Sequence, residues 1–237
     1  MEALSEGDLR IRAPQAAVRR LLAAAWGINA FLLVINLALA AGWRPRIHTI
    51  AVQLNMDNEV CVAAWYSSFL LMLVGAAAAL QLIVRGRGGE MPRASRIGWL
   101  MVAGLALFLS ADEVSVIHET IGGSFATHVG GTLFGMRVVW TEVMAPFILG
   151  AALFLALFLW RELRGTPGAR ALVWVALGCW LGAVAMESAT YLLRGMPIIG
   201  VFEPAVEETL ENVGTTLLLT GFLQHALSRG KVKAVPA

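Results

Sequence analysis

The chain has 237 residues, of which 58% are hydrophobic and only 14% charged, and its formal net charge is +2. Soluble domains carry about 25% charged residues. A mean hydropathy of +0.73 therefore excludes an ordinary water-soluble globule and favours an all-α polytopic membrane protein. The small net charge says little about partners, and nothing in the composition points to nucleic acid.

Residues 1–20 form a polar cytoplasmic segment with Arg10, Arg12, Arg19 and Arg20. The apolar run 21–41 follows. It is longer than the roughly 7–15 residues of a signal-peptide core, so it reads as a retained first span. Asn29 and Asn36 lie seven apart on one face of it and suit hydrogen bonding between helices. After the loop 42–59, a second span covers about 60–84. A short loop then crowds Arg85, Arg87, Arg93 and Arg96. The third span covers about 97–121 and the fourth about 136–160, joined by a Gly-rich connector, 122–135. The fifth covers about 171–193. A tight turn at Gly195 and Pro197 leads to the sixth, about 202–227, and residues 228–237 form a basic tail. Residues 21–227 thus make one six-helix transmembrane domain. Cys61 and Cys179 fall in different apolar segments and read as small packed side chains rather than a disulfide or metal pair.

Lys and Arg alternate between the loops, fourteen on one side and four on the other. The positive-inside rule then places both termini in the cytoplasm of a cell carrying the protein in its inner membrane. Trp26, Trp99, Trp160 and Trp174 fall near the inner ends of spans, and Trp43, Trp65 and Trp140 near the outer ends. Trp180 falls mid-span.

This topology gives the acids a depth. An ionised side chain at the centre of a bilayer costs about 2.5–3.5 kcal/mol on insertion scales. Even so, Asp112, Glu113, His118 and Glu119 end the third span without a break. Glu142 opens the fourth, Glu187 sits in the outer half of the fifth, and Glu207, Glu208, Glu211 and Asn212 open the sixth. Four separate segments place acids in one outer layer. Such a layer needs shared protons or counter-charge. Arg137 and Arg194 supply some, and a divalent cation would supply more. Carboxylates with one imidazole suit Zn²⁺, Fe, Mn²⁺ or Mg²⁺. Acids projecting inward from several helices follow the logic of carboxylate di-metal bundles, although the usual Glu-x-x-His pair is missing.

The candidate metal ligands are Glu113, His118, Glu142, Glu187, Glu208 and Glu211, and the first four are also the candidate catalytic groups. Asp112, Glu119, Arg137, Glu207 and Asn212 stand in support, with either Asp112 or Glu113 facing the bundle centre. Glu203 reads as a wet interfacial residue, Glu207 as a cap at the start of the sixth helix, and His225 as interfacial. The expected function is a metal-dependent membrane enzyme, a hydrolase or oxidoreductase, acting on a lipid-like or small substrate. The alternatives are a cation or proton-coupled transporter using the same acids, and a non-catalytic membrane module.

The run Leu109-Ser-Ala-Asp-Glu-Val-Ser-Val-Ile-His-Glu119, with Glu207-Glu-Thr-Leu-Glu-Asn-Val-Gly214 downstream, resembles a pattern in uncharacterised bacterial multi-pass membrane proteins. That resemblance implies the membrane fold and no activity. Alkaline ceramidase-like hydrolases are similar in being helical membrane proteins with Ser, Asp and His at an internal metal. They use several histidines, whereas only His118 lies deep enough here, so none of their residues carries over.

Overall fold

The computed structural model describes residues 15–86, 91–130, 132–133, 136–137, 140–193 and 197–228. The described part is all-α apart from one ladder of two-residue strands. In chain order, α1 is Gln15–Ala40, α2 His48–Leu54, α3 Val62–Gly86, α4 Arg93–Ser115 and α5 Ile117–His128. The strands β1, Thr132–Leu133, and β2, Met136–Arg137, pair antiparallel. They are followed by α6, Trp140–Glu162, α7, Pro167–Leu193, and α8, Pro197–Ser228.

Five helices, α1, α3, α4, α6 and α7, are long and apolar enough to cross a membrane. The expected sixth span lies in α8. That helix has 32 residues, roughly 48 Å at 1.5 Å per residue, but it is not among the five apolar ones. The reason is its position. It packs against α1, α3 and α7, and a helix sheltered by neighbours has no need of an apolar surface all round. Thr215, Thr216, Asn212 and His225 are all buried on it.

Polar side chains join these helices. The buried positions of α1 are Ala25, Asn29, Leu32 and Asn36, which form one stripe at helical spacing. Asn29 donates to Thr216 Oγ1 at 3.0 Å and accepts from the Tyr66 hydroxyl at 2.7 Å. Asn36 donates to the Leu54 carbonyl at 2.9 Å and accepts from the Met56 amide at 2.9 Å. The first loop is therefore fastened over one end of the bundle, and it carries α2 rather than running without structure.

At the opposite end, Trp99, Leu159, Leu163, Val173, Leu219 and Phe222 form a dense apolar core. Trp99 is fully buried there, packed edge-on to Phe158 and Phe222, and does not belong to an interfacial belt. His225 is buried too, with Nδ1 2.7 Å from Thr166 Oγ1 and its ring stacked on Trp99. Between the two ends, Gly214 lets α7 and α8 close up. A Cβ there would stand 2.6 Å from Trp180 Cδ1 and 3.0 Å from the Ala176 carbonyl oxygen.

The third span is not one helix. It stops at Val116, which adopts φ 54° and ψ 39°. A β-branched residue in the left-handed region is strained, at a cost of about 1–2 kcal/mol. Helix α5 then runs on to His128, through the stretch expected to be a loose connector.

Candidate functional site

The strained turn at Val116 makes a clamp. Folding back through it brings His118 onto Asp112, six residues earlier. The His118 amide donates to Asp112 Oδ1 at 2.9 Å, and His118 Nδ1 lies 2.7 Å from Asp112 Oδ2. Both oxygens of a buried carboxylate thus hold one histidine. The His118 ring lies against Trp140, with centroids 4.2 Å apart. Trp140 Nε1 in turn donates to Glu187 Oε1 at 2.5 Å. Two hydrogen-bonded links joined by one ring contact therefore connect α4, α5, α6 and α7. Gly122 allows it, because a Cβ there would meet the backbone of Trp140 at 2.5 Å.

Beside these links is a cavity of about 490 Å³. The first loop contributes Asp57 and Glu59 to its lining. Helix α4 contributes Asp112 and Glu113, α5 contributes His118 and Glu119, α7 contributes Glu187, and α8 contributes Glu203, Glu207, Glu208 and Glu211. Ten of the sixteen Asp and Glu residues of the chain face one space, with a single imidazole and no Lys or Arg among the described lining residues. Deeper in, the lining turns apolar, through Leu71, Leu105, Leu155 and Leu177.

Most of the residues singled out by sequence come together. Glu113, His118, Glu187, Glu208 and Glu211 line the cavity, as do Asp112, Glu119 and Glu207. Asp112 and Glu113 both line it, with Asp112 the more buried. Glu142 does not join them. It is exposed on the first turn of α6, its Oε2 3.5 Å from Thr141 Oγ1. Asn212 is buried behind the cavity, donating to the Glu208 carbonyl and accepting from Ser67. The Arg137 side chain and the whole of Arg194 lie outside the described residues.

Four acids have a place that the sequence did not indicate. Glu203 is 8% exposed and lines the cavity rather than resting in the interface. Glu207 is ten residues into α8 and caps nothing. Asp57 and Glu59 carried no signal in the sequence, because a loop acid reads as solvated. Here burial, followed by the charge of Glu203, pushes the Asp57 carboxyl above its usual range. Burial, then the charge of Glu119 and a hydrogen bond to it, does the same for Glu59.

The arrangement favours positive charge and offers an oriented base. It is not a ready metal cage. Among the described residues, no group of three or more His, Cys, Asp and Glu side chains is arranged to hold a metal ion. The expected six-ligand set thus does not exist as a preformed coordination shell. The acids line a space wider than an ion, and Glu142 is apart from it.

The chain belongs to a family described as a domain of unknown function, DUF8692. The match covers residues 20–226, which takes in every described helix that forms the cavity. No curated protein and no solved structure matches the chain.

Proposed function

We propose that this protein is a membrane-embedded enzyme whose acid-lined chamber accepts a positively charged group and whose Asp112–His118 pair moves a proton to or from the bound molecule. The observation that carries this reading is ten carboxylates around one cavity with no Lys or Arg in its described lining. Such a wall concentrates cations and repels anions. Asp112 accepts from His118 Nδ1–H and fixes the ring, which leaves Nε2 as the working nitrogen, the base-and-orienter arrangement of acid–base catalysis. Hydrolysis of a lipid-like or small substrate is the reaction class that needs no more than this and water.

A divalent ion (Zn, Fe, Mn or Mg) is the cofactor such donors would take. It would have to draw Glu113, Glu208 and Glu211 toward one point, since they are not gathered around one. The protein would sit in the cell inner membrane with its basic end and both termini cytoplasmic, so that the chamber opens outward. A cation or proton-coupled transporter is the second reading. The helix break at Val116 favours it, because discontinuous helices recur at ion sites in transporters. The apolar packing of the other end opposes it, since it closes the path across.

The test is equilibrium binding of Mn²⁺ and of tetramethylammonium to the purified protein. Replacing Glu208 and Glu211 together by Gln is expected to weaken both by about tenfold or more. Affinities unchanged in that variant would overturn the reading. Elemental analysis shows whether a metal copurifies, and flux into sealed vesicles separates transport from chemistry.

A further inference from the structure

The geometry points to a side opening through which the chamber takes a cationic amphiphile from the bilayer, its ammonium head among the α8 carboxylates and its alkyl chain between α4, α6 and α7. This rests on the cation-accepting reading of the chamber and adds the class of molecule and its way in.

The opening is read from three aromatic or aliphatic side chains. Phe108, Phe147 and Leu181 line the cavity and are nevertheless 47%, 70% and 48% exposed. A side chain that borders a cavity and is also open to the surroundings stands at its mouth. These three come from α4, α6 and α7. They lie on helices long and apolar enough to cross a membrane, which turns the mouth toward lipid rather than water. Helix α6 makes this possible. It packs on α5 and α7 and only slightly on α4. Its cavity-facing residues Met144, Phe147, Ile148, Ala151 and Leu155 follow helical spacing, so one whole face of α6 borders the space. Pro146, beside Phe147, lacks the N–H that would bond four residues back, which weakens the helix at the mouth.

The occupant follows from the two halves of the lining. Carboxylates without described basic neighbours suit an ammonium group and repel a phosphate head, which excludes ordinary phospholipids. The apolar half, continuous with the mouth, suits a hydrocarbon chain. A volume near 490 Å³ is within the range of small-molecule pockets, about 300–1,000 Å³.

The test uses the full chain in phosphatidylcholine nanodiscs. The probe is a long-chain alkylammonium with a photoreactive diazirine in its chain, compared with the alcohol of the same length. Cross-links should map to the segments around Phe108, Phe147 and Leu181, and the ammonium should label about tenfold more than the alcohol. Glu208→Gln with Glu211→Gln should bring ammonium labelling down to the level of the alcohol. Should that variant not fold, excess unlabelled alkylammonium must suppress the labelling of the unaltered protein to the same degree. Leu181→Trp should block labelling yet leave Mn²⁺ binding intact. Equal labelling by the two probes, with Mn²⁺ binding still dependent on the acids, overturns the side opening and leaves the cation chamber standing. If neither Mn²⁺ nor the ammonium binds, both fall. Covalent dimers formed through the α6 face on chemical cross-linking would assign that face to a second copy of the chain and also overturn the proposal.

Discussion

The two ends of the bundle treat carboxylates in opposite ways. At the basic end, Glu162 is the one acid among the buried contacts described there, and each of its oxygens is used. Arg85 Nη1 lies 2.5 Å from Oε2, Ser95 Oγ donates to Oε1 at 2.5 Å, and Trp99 Nε1 donates to Oε2 at 3.2 Å. At the other end, ten acids share a cavity, and the described lining offers them one histidine and no guanidinium. The first arrangement is a structural tie, in which a charge is met in place. The second sets many acids around one space whose described lining holds no Lys or Arg. The two ends thus differ in whether basic side chains are built in beside their acids, not in burial alone.

The contrast can be tested by mutation. The largest effect is expected from Glu162→Ala, which strands a half-buried guanidinium and two donors. Breaking a buried pair on one side costs about 3–5 kcal/mol, to be read as a lowered unfolding midpoint in detergent. Glu207→Gln should lower stability little or raise it. A loss as large as that at Glu162 would show that the cavity acids are structural ties after all. Asn36→Ala comes next. It removes an acceptor and a donor that hold the first loop over the cavity, at about 1–3 kcal/mol, and should speed proteolysis between residues 42 and 61. Val116→Gly should raise stability by about 1 kcal/mol by relieving the left-handed turn. If it lowers stability instead, the clamp on His118 is not held against strain.

The smallest effect expected is one of pH. Asp57 and Glu59 both have carboxyls pushed upward in the folded protein, so the folded state binds more protons than the unfolded one just above the ordinary carboxylate range. The stability that these two groups contribute is then full below that range and is lost as pH rises through the folded values. Thermal unfolding followed upward in pH from the ordinary carboxylate range should show this decline, and Glu59→Gln should flatten it.

Much of this was legible in the sequence. The apolar runs located α1, α3, α4, α6 and α7, because about twenty apolar residues have few other uses. Alternating Lys and Arg put the acids of the third, fifth and sixth segments at one depth, and those acids do share a cavity. Other features had no local signature. Val116 is an ordinary valine in an apolar context, and its left-handed turn accompanies the Asp112–His118 contact. Asp57 and Glu59 reach the cavity only because Asn36, twenty residues upstream of Met56, holds the loop down. Glu142 could not be oriented, since α6 is apolar almost all round and its pattern does not mark an inner face. The central position of α8 was hidden for the converse reason. Its threonines, asparagine and histidine read as interruptions of a span until the surrounding helices are seen to cover them.

The close approach at Gly214 has a further consequence. With no methyl group at that position, Trp180 leans across onto α8 and donates to the Glu211 carbonyl and Thr215. The indole thereby forms part of the cavity wall beside Glu211 and Thr215. An alanine there would wedge the two helices apart and displace that wall. A single missing carbon atom thus sets how closely two helices can share one wall of the cavity.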